Sequence, residues 1–285
     1  MSGNYRDKVA VITGAASGIG QGLAEHCCRK GMRVVLADIE TKVLQQTETQ
    51  LKHKGASVIA VQTDVSKLSD MQALAQKTLE NFGAVHLLFN NAGVAAGTKS
   101  WESTDADWQW VIGVNLWGLI HSLRVFIPMM LKQKADCHIV NTASVLGLMS
   151  WNNSATYHTT KHAIVALSEQ LRHELMEEKS KIKVSVFCPG FIKTQITEAT
   201  RNRPQSLQNP DDPEQIHSDK IFKRVMKFHR YLLEEEGITP EQAAIEVFDA
   251  MDKDQFYIFA NADEFMPLIK TRFEKIVQDI NKDKV

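Results

Sequence analysis

The chain has 285 residues, long enough to bury a large core and, in an α/β architecture, to form one domain. Apolar residues make up 44%, charged residues 24%, and the formal net charge is -1, so the basic field that nucleic acid or an anionic membrane surface demands is missing and neither is expected as a partner. The polar stretch Met1–Lys8 contains no apolar leader, and Cys27, Cys28, Cys137 and Cys188 show neither CxxC pairing nor metal spacing, so a cytoplasmic chain with reduced thiols and no metal is expected.

The first strand is predicted at about Lys8–Thr13. The turn Thr13-Gly14-Ala15-Ala16-Ser17-Gly18-Ile19-Gly20 follows, then a helix to about Lys30. Strand, glycine turn and helix together present backbone N–H groups and a positive helix end to a phosphate. The spacing is G-x-x-x-G-x-G rather than the usual dinucleotide G-x-G-x-x-G, and by itself a plain strand-to-helix turn reads the same way. A second strand, Arg33–Ala37, ends at Asp38, eighteen residues after Gly20. A carboxylate near that distance meets the adenosine ribose hydroxyls in a βαβ dinucleotide unit. It repels a 2′-phosphate, and neither Ile39 and Glu40 nor the glycine turn supplies a basic partner, so NAD is favoured over NADP.

A helix over Thr41–Lys54 closes at Gly55, a strand over Ser57–Gln62 follows, and a helix capped by Ser66 or Ser69 runs to about Phe82. The next strand, Val85–Phe89, ends in Asn90-Asn91-Ala92-Gly93. Strands alternating with helices of this length give βαβ units and a doubly wound parallel sheet, helices on both faces. After a loop, a helix starting near Ser103 or Thr104 runs through Trp108–Leu131. Val111–Met130 imitates a membrane span, but Asn115, His121 and Arg124 would be costly in lipid, and a core helix is expected.

The strand Cys137–Thr142 leads to Ser144, and thirteen residues further on comes Tyr157-His158-Thr159-Thr160-Lys161. Helix positions four apart share a face, so the Lys161 ammonium lies near the Tyr157 ring. A nearby cation favours the phenolate, which is expected to lower a pKa that is ordinarily about 10. His158 and His162 on the same helix read as packing or surface residues. A strand at Ile182–Phe187 ends in Cys188-Pro189-Gly190-Phe191-Ile192-Lys193-Thr194. Residues 201–213 read as a polar loop, His217–Glu236 as a helix, and Thr239-Pro240 as the start of a helix to about Met251. A last strand, Gln255–Phe259, precedes an amphipathic C-terminal helix at about 262–280.

The glycine turn, Asp64, Asn90-Asn91-Ala92-Gly93, Ser144 and the Tyr157/Lys161 pair together resemble the short-chain dehydrogenase/reductase family. The resemblance implies a Rossmann-like, three-layer fold around a seven-stranded parallel sheet. It implies NAD(P) held by Gly14, Ser17, Gly18, Ile19, Gly20 and Asp38, with Asp64 and Val65 at the adenine and Asn91 and Gly93 along the cofactor. Pro189, Gly190, Ile192 and Thr194 then pass the nicotinamide. Tyr157 becomes the general acid/base, Ser144 the hydrogen-bond partner of the reacting oxygen, and Lys161 the holder of the nicotinamide ribose. Asn115 is read either as a satisfied core asparagine or as the site of a helix irregularity that holds a relay water. The family also implies a homodimer or homotetramer and a substrate lid at about 195–238, for which a surface insertion or oligomer contact is the other reading. Apolar residues placed to ring the substrate (Val94, Val145, Leu146, Leu148, Met149, Trp151, Phe191, Phe222 and Met226) point to a hydrophobic alcohol or ketone, with Ser144, Leu146, Trp151 and Tyr157 in contact. A nonenzymatic NAD-sensing or scaffold protein, and an epimerase or dehydratase, remain alternatives on the same framework.

Overall fold

Apolar runs of four to six residues dictate buried strands, and β1 (Val9–Thr13), β4 (Leu87–Asn90) and β5 (Cys137–Thr142) are buried along their whole length. In the computed structural model, which describes residues 4–97, 99–209 and 213–282, they join β2 (Arg33–Asp38), β3 (Ser57–Gln62), β6 (Ile182–Pro189) and β7 (Tyr257–Ala260) in one seven-stranded parallel sheet. The order is β3-β2-β1-β4-β5-β6-β7. The chain reverses its winding between β1 and β4, where doubly wound sheets open a crevice at the strands' carboxyl ends.

Alternate strand residues feed two apolar layers. Val11, Val35, Leu88 and Ile139 pack on the face that carries α3 (Leu68–Phe82), α5 (Gly118–Gln133) and α6 (Ala155–Glu177). Ile12, Leu36 and Phe89 pack on the opposite face, against α1 (Gly18–Arg29) and α8 (Pro240–Asp252), with α2 (Thr41–His53) alongside. The three-layer arrangement expected from the sequence is the one found.

Local chemistry explains most helix ends, and some differ from expectation. Neither Ser66 nor Ser69 caps α3, which starts at Leu68 behind Lys67. The Ser66 hydroxyl donates to Asp64 at 2.6 Å and that of Ser69 to Asp70, so both are already engaged. Thr104 does cap α4 (Asp105–Val111), in a reciprocal capping box with Asp107. The helix read as continuous from Trp108 onward is α4, a π turn at Ile112–Trp117, and α5. Asn115 sits in that π turn, so the irregularity expected at this residue is present. This helical run, Asp105–Gln133, is long and apolar enough to cross a membrane, but it buries Leu119, Leu123 and Phe126 in the core.

The polar loop read after residue 200 is more ordered than its composition suggested. A 3₁₀ turn at Ile196–Asn202 runs into it and another at Gln205–Leu207 lies within it, before α7 (Pro213–Glu235), which starts earlier than read. Residues 210–212 lie outside the described part. Thr239 caps α8 with Pro240 in its first turn, and a short 3₁₀ turn at Asp263–Phe265 leads into α9 (Met266–Lys282).

Candidate active site

The carboxyl ends of the strands open into a groove of about 260 Å³. At Gly14 the chain takes φ +66, and a Cβ there would stand 2.9 Å from the backbone of Ala92. Only glycine passes that point without strain. Ser17 then enters α1 with extended backbone, and no side chain caps the helix's first N–H groups. An uncapped helix start beside a bare glycine backbone fits a pyrophosphate. All the residues expected to hold the cofactor line this groove except Gly20. A Cβ on Gly20 would meet the Gly14 carbonyl at 2.0 Å, so the close packing of the turn requires glycine there.

Asp38 anchors one end of the groove. Its carboxylate accepts from the Ala16 and Glu40 amides, each at 3.0 Å; burial raises its pKa and these amides counter that. Asp64 accepts from the Ser66 amide and pairs with Lys67. The Asn91 amide group donates to the Thr13 carbonyl at 3.1 Å, while the Thr13 hydroxyl accepts from the backbone of Asn91 and Ala92. These bonds tie β1 to β4 at the switch point.

At the other end lie Ser144, Tyr157 and Lys161. Ser144, just after β5, accepts from the Leu146 amide at 3.1 Å and hydrogen-bonds the Tyr157 hydroxyl. Lys161 Nζ donates to the Thr142 carbonyl at 2.8 Å and lies 5.3 Å from the centre of the Tyr157 ring. Burial disfavours the charged forms of both, pushing Tyr157 up to about 12 and Lys161 down to about 8. The i, i+4 spacing predicts that Lys161 lowers the Tyr157 pKa. In the structure burial raises it instead, the bond from Ser144 works against that rise, and the Lys161 ammonium donates to the Thr142 carbonyl. Asn115 is buried off the groove; its side chain accepts from the Val94 amide and donates to the Val94 carbonyl and the Thr160 hydroxyl.

A second cavity, of about 120 Å³, opens on the far side of Ser144 and Tyr157. Its walls are largely apolar, with Val145, Leu146, Trp151 and Phe191 joined by Met226, Leu232 and Leu233 of α7 and by Phe265. All four expected substrate contacts, Ser144, Leu146, Trp151 and Tyr157, line it. Three of the wider ring do not. Val94 lines the larger groove, and Leu148 and Met149 are buried in the core. The side chain of Phe222 lies outside the described residues. Thr197, His229 and Phe265 also line it, and nothing in the sequence says which turn after β6 or which C-terminal residue faces inward. His158 is a packing residue. Its Nε2 accepts from the Trp151 amide at 2.8 Å, so its Nδ1 carries the proton and donates to the Ser154 carbonyl.

Two arginines pin the segment after β6. Arg203 pairs with Asp107 at 2.6 Å, both nearly buried, and donates to Leu207 and Asn209 while lying 5.3 Å over the Trp110 ring. Arg201 donates to Glu40. Among the described residues no group of three or more His, Cys, Asp or Glu side chains gathers as a metal site would require.

Residues 8–205 match the family model described as short chain dehydrogenase. The chain is 33% identical over 276 residues to a CLA biosynthesis dehydrogenase/reductase of Lactiplantibacillus plantarum, covering 97% of this chain and 95% of the relative. It is 32% identical over 224 residues to a diacetyl reductase, (S)-acetoin forming, of Staphylococcus epidermidis, covering 79% and 86%. A crystal structure of a short-chain dehydrogenase/reductase from Burkholderia phymatum in complex with NAD superposes with a TM-score of 0.92 at 42% identity, covering 97% of this chain and 96% of that one. The chain therefore belongs to the short-chain dehydrogenase/reductase family of oxidoreductases.

Proposed function

We propose that the chain is an NAD-preferring oxidoreductase that interconverts a hydrophobic secondary alcohol and its ketone, with Tyr157 as the general acid/base. One observation carries this reading. The dinucleotide groove and the apolar cavity meet at Ser144 and Tyr157, which line both. A substrate oxygen held between these two hydroxyls is within reach of a proton donor or acceptor and of the groove.

The bound nicotinamide supplies the hydride chemistry. The chain's residues supply the rest. Gly14, Ser17, Gly18 and Ile19 bind the pyrophosphate, and Asp38 receives the adenosine ribose. Asp64 and Val65 border the adenine. Asn91 and Gly93 line the middle of the groove, and Pro189, Gly190, Ile192 and Thr194 border the nicotinamide. Lys161 holds the nicotinamide ribose. In the direction of oxidation Tyr157 takes the proton of the substrate hydroxyl; in reduction it returns one to the carbonyl oxygen. Ser144 donates to the same oxygen and steadies its developing negative charge. The proton leaves through Lys161. Asn115 has its side chain fully engaged, so its part in a relay falls to its backbone in the π turn, beside a cavity of about 10 Å³, roughly the size of one water.

The relatives differ in the substrates their names give, so the substrate class is argued from the cavity wall, whose apolar surface favours a hydrophobic compound over a charged metabolite. A cytoplasmic homodimer or homotetramer completes the reading, and light scattering on the purified chain tests the assembly. NADH formation over a panel of hydrophobic secondary alcohols, with NAD and then NADP, tests the reaction. Turnover confined to small polar alcohols would refute the substrate class.

A further inference from the structure

Glu40 and Arg201 are distant in sequence and in the sheet. Glu40 follows β2 and Arg201 follows β6, and β1, β4 and β5 lie between those strands. Their contact crosses the carboxyl edge of the sheet, over the groove. One oxygen of Glu40 accepts from Arg201 Nη2 at 2.8 Å, Arg201 Nε at 3.2 Å and Asn202 Nδ2 at 2.8 Å. The remaining terminal nitrogen of Arg201 donates to the Gln195 and Glu198 carbonyls, each at 3.1 Å, so the guanidinium is held by its own turn as well. Asp38, Glu40, Arg201 and Asn202 all line the groove.

The electrostatics of that end are unusual. Among the described residues lining the groove, the only Lys or Arg side chains are those of Lys161 and Arg201. Lys161 stands beside Tyr157, so among these lining residues Arg201 is the one cation at the Asp38 end, and Glu40 pairs with it. We propose that Glu40 is a specificity residue that keeps the groove closed to a 2′-phosphate by holding Arg201, a phosphate-binding cation that becomes available when Glu40 loses its charge. The proposal rests on the reading of the groove as a dinucleotide site. A 2′-phosphate beside Asp38 meets two carboxylates and a guanidinium that is already paired. With Glu40 neutral it meets one carboxylate and a guanidinium oriented by the Gln195 and Glu198 carbonyls, which is the geometry an arginine needs to bind phosphate.

The test is calorimetric titration of the full chain with NAD and with NADP, comparing wild type, Glu40→Gln, Glu40→Ala and Glu40→Gln/Arg201→Met. Both single variants are expected to shift the ratio of affinities toward NADP by about tenfold, the order of one charge-assisted contact, and the gain should shrink as salt rises. The double variant should return to the wild-type ratio. An unchanged ratio in both single variants, or a gain that survives the loss of Arg201, overturns the proposal while leaving the dinucleotide reading intact. A wild-type chain that binds neither nucleotide overturns both.

Discussion

Replacing Arg203 by alanine should loosen the segment that follows β6. Arg203 and Asp107 have side chains only 9% and 7% exposed, and their oxygen and nitrogen stand 2.6 Å apart. The same guanidinium donates to the Leu207 carbonyl and to Asn209, which in turn donates to Asp107. Asp107 also accepts from the Thr104 amide, as the second half of the cap on α4. Removing the arginine leaves a buried carboxylate with neutral partners only, and breaking such a pair costs about 3–5 kcal/mol. Two routes are open to the folded chain: to lose that much stability, or to undock residues 196–209 locally at a smaller cost. Urea unfolding gives the first and hydrogen exchange across 196–209 the second. We expect a loss of at least about 2 kcal/mol, or loss of protection confined to that segment. A double variant, Arg203→Leu/Asp107→Asn, should recover part of the loss, because it leaves no unpaired charge while an amide oxygen can still accept from the Thr104 amide. A single variant with unchanged midpoint and unchanged exchange would refute the pinning role.

Three further outcomes follow from the same geometry. Ser144→Ala should lower kcat by about 10²–10³-fold, with far less effect on NAD affinity, measured by steady-state kinetics and titration; equal losses in both would place Ser144 in binding rather than in charge stabilisation. Gly20→Ala should destabilise by about 1–3 kcal/mol or more, read from thermal unfolding, since its Cβ would meet the Gly14 carbonyl at 2.0 Å. Burial holds His26 and His138 down to about 4 from an ordinary value near 6.5. Their folded pKa values are depressed, so the unfolded chain binds more protons below about pH 6.5. Stability should then fall as pH drops from about 6.5 toward 5, by up to about 2 kcal/mol for each ring at pH 5. A urea midpoint that stays flat over that range contradicts the assignment.

Much of this was legible from local pattern. The strands are apolar runs punctuated by turns, and their alternation with helices carries the sheet. Tyr157 and Lys161 share a helix face because of their spacing alone. What escaped depends on contacts between distant segments. Arg201 reaches Glu40 across 161 positions of sequence, so a search for a basic residue near Asp38 could not find it. The polar composition of residues 201–213 gave no hint of its 3₁₀ turns, because the order there comes from Arg203 docking on Asp107 and Trp110. The Lys161 ammonium was placed near the tyrosine correctly, but its bond to the Thr142 carbonyl depends on how β5 ends, which spacing does not encode. The motif does not say why Gly20 must be glycine; the structure does, since a Cβ there would meet the Gly14 carbonyl at 2.0 Å.

The measurement that bears most directly on the central claim is NADH formation from a hydrophobic secondary alcohol by wild type and Tyr157→Phe, with NAD affinity titrated for both. The account predicts turnover in wild type and its loss in the variant, with NAD affinity altered only a few-fold, since the lost hydroxyl acts on the reacting oxygen. Undiminished turnover in Tyr157→Phe would contradict it.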